Sequence, residues 1–457
     1  MALDRVVVIG AGPAGIFAAL ELSRLGGFEI IVVEKGKNLA ERRCPARERG
    51  CVSCPTCDIM TGWGGAGAFS DGKLTLTGEV GGWLGDYIGT QELDTLIGYV
   101  DGLWCEFGAS KRVYTPDPNE AKRLERAAEL AGMHLTPMRI RHLGTDRSPK
   151  VLDAARVNLL EHGVRILTET AAKSVVAKEG RVTGVELEDG TTLHAGAVIA
   201  APGREGADWL TRQAALLGIG RANNAVDIGV RVEVPATVME PLTDHLYEAK
   251  LTYRSRSFGD KVRTFCMNPY GEVTAESYGD VITVNGHSYA DDKTDRTNFA
   301  VLVSQAFTYP FREPTTYGRS IARLANLLGE GILVQRLGDL MAGRRSTPER
   351  IAESTVMPTM ATATPGDLSN VVPYRHLTGI LEFLEALDVL APGVNAPGTL
   401  LYGIEVKFYS SKLEVGPDLQ TSITGLYAIG DGAGVTRGLI QSSASGVVAA
   451  RAIAAAR

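Results

Sequence analysis

Four of the six cysteines, Cys44, Cys51, Cys54 and Cys57, fall within 14 residues in the spacing C-x6-C-x2-C-x2-C, while Cys105 and Cys266 stand alone. Thiols at two-residue intervals can wrap a metal ion or an iron–sulfur cluster. Pro45, Gly50 and Pro55 keep the segment out of regular helix. The order departs from a ferredoxin run, in which the fourth cysteine follows the triplet. Three readings stay open: a site for iron–sulfur or zinc, a redox dithiol, and unligated thiols. Cys105, with Trp104 and Phe107 beside it, reads as core.

A second group of residues could move protons. Glu405, Lys407 and Tyr409 alternate along an expected strand and so share one face. They could serve as proton donors and a substrate anchor, against the rival reading of a solvated strand face. Lys73, close behind Ser70 and Asp71, is a further candidate. The seven histidines, His142 and His376 among them, show no metal-type spacing and read as structural or exposed.

What would position these groups is legible in two glycine-rich stretches at opposite ends of the chain. Near the start, the apolar run Val6–Ile9 ends in Gly10-Ala11-Gly12-Pro13-Ala14-Gly15 and enters a helix-like segment to Leu25. Gly10 permits a tight turn, Gly12 lets backbone approach a pyrophosphate, and Gly15 allows close helix–sheet packing. Pro13 and Ala14 open the helix whose free N–H groups and dipole face the phosphates. A second apolar run, Glu29–Val33, leads to Glu34 and Lys35. Glu34 lies 19 residues past Gly15, where a carboxylate accepts from ribose hydroxyls and disfavours a 2′-phosphate. That favours FAD or NAD over NADP.

The second stretch decides between those two. Leu426–Ile429 runs into Gly430-Asp431-Gly432-Ala433-Gly434 and then a helix from about Leu439 to Ala455. No second strand–G-x-G-x-x-G–helix unit exists for a separate NAD. Asp431 at the strand end suits the hydroxyls of a ribityl chain. The following helix N-terminus suits the flavin pyrimidine edge, where negative charge forms on reduction. Gly64, Gly65, Ala66 and Gly67 would let backbone approach the flavin ring, with Lys73 near its polar edge. Gly203 and Gln441 complete the expected cofactor contacts.

These residues carry a resemblance. The N-terminal motif, Val198–Gly203 and Gly430-Asp431 occur in the order seen in FAD enzymes similar to p-hydroxybenzoate hydroxylase and glutathione reductase. More closely, the strings Gly62–Leu74 (GWGGAGAFSDGKL) and Gly403–Ser410 (GIEVKFYS) resemble a group of bacterial FAD-dependent dehydrogenases. The resemblance covers nearly the whole chain. It implies a discontinuous FAD domain interrupted by a β-rich substrate domain, and redox chemistry at the flavin. In glutathione-reductase-like enzymes the redox cysteines follow shortly after the ribose-binding acid, and Cys44 comes 10 residues after Glu34. One departure is Ala201-Pro202-Gly203, where the wider superfamily commonly has Ala-Thr-Gly.

Composition agrees with a globular enzyme. At 457 residues two domains are expected, and 44% hydrophobic with 22% charged residues is ordinary for a globular protein. A net charge of −6 argues against a nucleic-acid partner. No window of 18 apolar residues suggests a membrane span, and the first strand begins too early for a signal peptide, so a cytoplasmic location is expected. The fold class is α/β: a discontinuous Rossmann-like FAD-binding domain with an inserted β-rich (α+β) substrate domain. Its parts are expected at 1–215, 216–385 and 386–457. The expected activity is hydride movement between flavin N5 and a small-molecule substrate, with electron relay through the cysteines. Electrons would come from or go to NAD(P)H or an electron-transfer protein. The alternatives are a flavin monooxygenase using NAD(P)H and a non-redox flavoprotein that binds a partner.

Overall fold

The computed structural model describes residues 4–45, 54–222, 224–289, 293–308, 310–311, 313–408 and 412–457. The chain divides into two compact units, one formed by 1–113, 141–224 and 409–457, the other by 114–140 and 225–408.

The first unit is built on a parallel sheet. Its strands are β1 (Arg5–Ile9), β2 (Glu29–Val33), β3 (Arg165–Leu167), β4 (Ala197–Ala200) and β5 (Leu426–Ala428), in the order β5-β4-β1-β2-β3. Val6, Val7 and Val8 have no solvent exposure, as expected for a central parallel strand covered on both faces. The helix α1 (Pro13–Leu25) starts on a proline, which fits a first helical position, and stops at Gly26 with φ +73°. It packs along the last helix, which with α2 (Ala207–Leu216) completes this unit's labelled helices: α3 spans Leu439–Ala455. A Cβ on Gly446 would lie 2.2 Å from the Ala14 carbonyl oxygen and 2.7 Å from the Ala18 nitrogen, so the α1–α3 approach requires glycine there. The first and last segments of the chain are thereby parts of one core.

A helix at Thr90–Glu106 was not read from the sequence. Its buried residues Leu93, Leu96, Ile97, Val100, Leu103 and Trp104 follow the helical period. The described residues of 36–90 are largely irregular, broken by short helical turns at Leu39–Glu41, Gly65–Phe69 and Gly85–Ile88.

The second unit is an eight-stranded sheet in the order Thr364–Pro365, Leu333–Arg336, Leu400–Lys407, Val226–Pro235, Arg296–Gln305, Lys261–Asn268, Lys250–Arg254 and Met133–Thr136. Neighbours are antiparallel except the first pair. Along Val226–Pro235, Val226, Ile228, Val230, Val232 and Val234 join a core with Phe299, Val301, Ile380 and Phe383. The alternate positions include Gly229 and the charged Asp227, Arg231 and Glu233, all of them buried as well.

The boundaries of this unit differ from 216–385. The helix α2 lies wholly in the first unit, and the longer segment of the second begins at 225. Leu400–Lys407 belongs to the second unit because it pairs with both Val226–Pro235 and Leu333–Arg336. Tyr114–Ile140 joins it too, since Met133–Thr136 extends the sheet beside Lys250–Tyr253. Local sequence pattern cannot show a pairing across more than a hundred residues.

A candidate dinucleotide site in the first unit

The carboxyl ends of β1, β2, β4 and β5 open into a cleft of about 460 Å³, lined by residues of both glycine motifs. Open parallel sheets bind ligands at this edge. Gly10 makes the turn after β1 with φ +98°, and a Cβ there would sit 2.2 Å from the Ala201 carbonyl oxygen. A Cβ on Gly15 would lie 1.9 Å from the Gly10 oxygen. Gly12 differs: no atom lies within 4 Å of a Cβ built there. Its backbone faces the cleft, as a phosphate-binding position requires.

Glu34 is buried, 6% exposed, and is a hub for backbone amides. Its Oε2 accepts from Ala11 N at 2.8 Å, and its Oε1 accepts from Gly36 N and Gly62 N, both at 2.9 Å. The carboxylate therefore ties the glycine turn to the Gly62–Gly67 loop while lining the cleft. Each carboxylate oxygen has two acceptor positions, so capacity for a ribose hydroxyl is left.

The same loop is clamped by Arg42. Its guanidinium donates to four carbonyl oxygens: Asp58 at 2.8 Å, Trp63 at 2.6 Å, and Ile59 and Gly65 at 2.9 Å. Burial lowers its pKa to about 10, against the opposing pull of Glu34, Asp58 and Cys57, and it remains a cation near neutrality. Gly65 and Ala66 line the cleft, and Gly67 sits where a Cβ would lie 3.1 Å from Pro13 Cγ and 2.9 Å from Leu439 Cδ2. The starts of α1 and α3 thus meet at one residue of the loop. Gly64 stands behind this surface, donating to the Ala11 carbonyl at 2.8 Å.

At the other side Asp431 is half-buried, and its partial desolvation pushes its carboxyl up from the ordinary range. Its Oδ1 accepts from Thr436 Oγ1 at 2.8 Å, Ser442 Oγ at 3.2 Å and Gly438 N at 3.4 Å. Its Oδ2 takes none of these bonds. An acceptor oriented by three donors and lining the cleft through its residue is what a polyol chain needs. Gly430 and Gly203 line the cleft as well. Gly15 and Gly434 shape the turns without lining it. Gln441 is turned elsewhere: its Nε2 donates to the Gly78 and Val80 carbonyls, at 3.3 and 3.2 Å, and its Oε1 accepts from Leu84 N at 3.4 Å. It fastens the 78–84 loop.

Lys73 lines the cleft, 7% exposed at its side chain, with Nζ 2.9 Å from Asp71 Oδ2. His142 is beside both, and burial lowers its ring to a pKa of about 4, so it is neutral at pH 7. Cleft residues that the sequence reading missed include Arg204, Glu205, Trp209 and Arg212. Their only signal was position, just after the Ala-Ala-Pro-Gly end of β4.

The other sequence candidates fall differently. Glu405 and Lys407 share a face, as expected, but in the second unit and within a saturated ionic cluster. Arg231 grips Glu405 at 2.8 and 2.9 Å, and Lys407 Nζ is 3.0 Å from Glu405 Oε1. Burial alone would raise the Glu405 carboxyl, but Arg231 and Lys407 hold it below the usual range. Burial would lower the Lys407 ammonium, and Glu405 and Glu276 outweigh it and raise it. Near neutral pH these directions leave Glu405 ionised and Lys407 protonated. Tyr409 lies outside the described residues, as does Cys51. Among the described residues, no group of three or more His, Cys, Asp or Glu side chains is arranged to hold a metal ion, Cys44, Cys54 and Cys57 included. No helix among the described residues is long and apolar enough to cross a membrane.

A parallel-sheet cleft between two glycine motifs, with Glu34 and Asp431 as its acceptors, defines a dinucleotide-binding protein of the flavoenzyme kind. Residues 225–408 match the family described as FAD-dependent protein, C-terminal domain-like. Residues 4–51 match the family described as pyridine nucleotide-disulphide oxidoreductase. Both matches agree with the FAD-dependent oxidoreductase that the sequence resemblance implies. It is similar to an uncharacterised protein of Clostridium beijerinckii, 28% identical over 478 residues, covering 98% of this chain and 80% of that one. Among solved structures it resembles a 3-ketosteroid-Δ4-(5α)-dehydrogenase from Rhodococcus jostii, at 14% identity and TM-score 0.45 over 98% of this chain and 96% of that one. It also resembles an L-proline dehydrogenase from P. horikoshii, at 12% identity and TM-score 0.43 over 99% and 94%. Likeness at this distance does not bear on which substrate this chain takes.

Proposed function

We propose that the protein is a dehydrogenase or reductase acting on a small-molecule substrate, with FAD held along the first-unit cleft. The observation that carries this reading is that Glu34 and Asp431, each fixed by neighbouring donors, line the same cleft from opposite glycine motifs. Bound there, FAD supplies hydride exchange with the substrate. Glu34 would take the adenosine ribose, and Gly12 with the start of α1 the pyrophosphate. Asp431 would take the ribityl hydroxyls.

Lys73 is the catalytic candidate this reading favours. As a buried cation it would favour negative charge developing on the nearby cofactor ring, and Asp71 keeps it oriented. Glu405 and Lys407, enclosed with Arg231, would act as a buried charge cluster in the second-unit sheet. For the cysteines, the spacing supports a metal site or dithiol relay to an electron acceptor. Metal analysis of anaerobically purified protein beside a Cys54→Ser variant tests it.

Anaerobic incubation with a panel of reduced metabolites tests the whole. A dehydrogenase loses its yellow flavin absorbance with its substrate and regains it with an electron acceptor. Oxygen uptake that requires both NAD(P)H and an aromatic acceptor would instead identify a monooxygenase, and a flavin that no donor reduces would overturn the reading.

A further inference from the structure

Two charged residues from opposite walls of the cleft touch each other. In the sheet, β1 lies between β2 and β4, so the chain leaving β2 and the chain leaving β4 start about 10 Å apart, two strand spacings. Lys35 comes two residues after β2 and Glu205 five residues after β4. They nevertheless meet, with Lys35 Nζ 2.5 Å from the Glu205 carboxylate. Both line the cleft. Their contact therefore spans the carboxyl end of β1, where Gly10 and Gly12 turn the chain.

The turn that delivers Glu205 is fixed at its base. A Cβ on Gly206 would lie 2.5 Å from Pro202 Cβ, and a Cβ on Gly432 would lie 2.6 Å from the Gly203 carbonyl oxygen. Pro202–Gly206 is thus seated against the C-terminal glycine motif at one end. At the other it is tied to the residue that follows Glu34.

We propose that Pro202–Gly206 is a strap across the bound dinucleotide, latched by the Lys35–Glu205 ion pair, and that opening this latch limits how fast the cofactor enters and leaves. The proposal rests on the cleft being the FAD site. The pair is about one-third exposed, 38% and 33% at the two side chains, and exposed pairs contribute little to an equilibrium and are screened by salt. The proposal takes the pair to be made in both the free and the bound protein, so that it acts on the passage between them. Breaking it raises the rates of binding and release together and leaves the affinity unchanged.

The test uses the FAD-loaded protein and its reloaded apoprotein. Release is followed by recovery of flavin fluorescence on dilution and uptake by its quenching, for wild type, Lys35→Met, Glu205→Gln and the exchanged pair Lys35→Glu/Glu205→Lys. Both single variants are expected to release and take up FAD about two- to fivefold faster, with Kd within about twofold of wild type. The exchanged pair is expected to return both rates to the wild-type value, and high salt to speed the wild type and the exchanged pair but neither single variant. Rates of the single variants equal to wild type, or a change in only one of the two rates, would overturn the strap while leaving the cofactor reading intact. A wild type that takes up no FAD would overturn both.

Discussion

Arg231 and Glu405 form a two-point ion pair, Nε to Oε2 at 2.8 Å and Nη2 to Oε1 at 2.9 Å, with no solvent exposure at either side chain. The remaining Nη1 donates to Asn298 Oδ1 at 2.8 Å and to the Cys266 carbonyl at 3.1 Å. Such a pair adds little over a well-packed apolar substitute, but removing one partner strands a charge where water cannot reach it. Glu405→Ala or Arg231→Ala is expected to cost about 3–5 kcal/mol of stability, read from denaturant unfolding. The double replacement Arg231→Met/Glu405→Leu should recover most of that loss. Single variants as stable as wild type would show that water reaches the cluster.

The glycine turn separates folding from binding. At Gly10 and Gly15 a methyl group would strike backbone oxygens at 2.2 and 1.9 Å, so Gly10→Ala and Gly15→Ala should lower the melting temperature of the apoprotein as well as its FAD content. Gly12 has open space where its Cβ would stand. Gly12→Ala should therefore melt like wild type yet bind FAD at least about tenfold more weakly, about 1.4 kcal/mol, by titration of the apoprotein. Equal binding by Gly12→Ala would mean the pyrophosphate does not lie against that residue.

Two histidines with lowered pKa values set an acid limit on stability. Among the described residues, neither ring nitrogen of His376 has a hydrogen-bond partner, and the residue is 2% exposed. Burial lowers its pKa from an ordinary 6.5 to about 4, with Asp260 pulling the other way and Arg375 adding to the fall. The unfolded chain takes up this proton first as the pH drops. Stability is then complete above about pH 6.5, is lost progressively down to about pH 4, and falls no further from this residue below that. The span corresponds to at most about 3 kcal/mol. His142 has the same direction. His376→Phe should flatten the melting temperature against pH between about 4 and 6.5, and an unchanged slope would place the acid loss on other groups.

The first unit was largely legible because its signals are local. A four-residue apolar strand, glycines at fixed steps and Glu34 at a strand end each follow from neighbours in the sequence, and the helix Leu439–Ala455 was read to the residue. What was missed depends on distant partners. The clamp formed by Arg42 resembles an ordinary basic pair until its four carbonyl partners are known. Glu205 shows nothing until Lys35, 170 residues away, is beside it. The alternation of Glu405 and Lys407 gave their shared face correctly. It could not reveal that Arg231, from a strand 174 residues distant in the chain, had already consumed their charge.

Lys73 offers the most direct probe of the cofactor reading, because its charge and that of Asp71 can be removed separately. The pair is 2.9 Å apart and both residues line the cleft. A reduced flavin carries more negative charge than an oxidised one, so a nearby cation favours reduction and a nearby anion opposes it. Lys73→Met should make the potential of the bound flavin more negative by about 30 mV, the equivalent of about 1.4 kcal/mol for two electrons. Asp71→Asn should move it the opposite way, since it leaves the ammonium with less opposing charge. A purely structural role would shift both variants in one direction, through looser binding, or shift neither. Redox titration against reference dyes, with FAD content confirmed beforehand, separates these outcomes. Opposite signs would locate the flavin ring beside this pair, and equal potentials in all three proteins would place it elsewhere in the cleft.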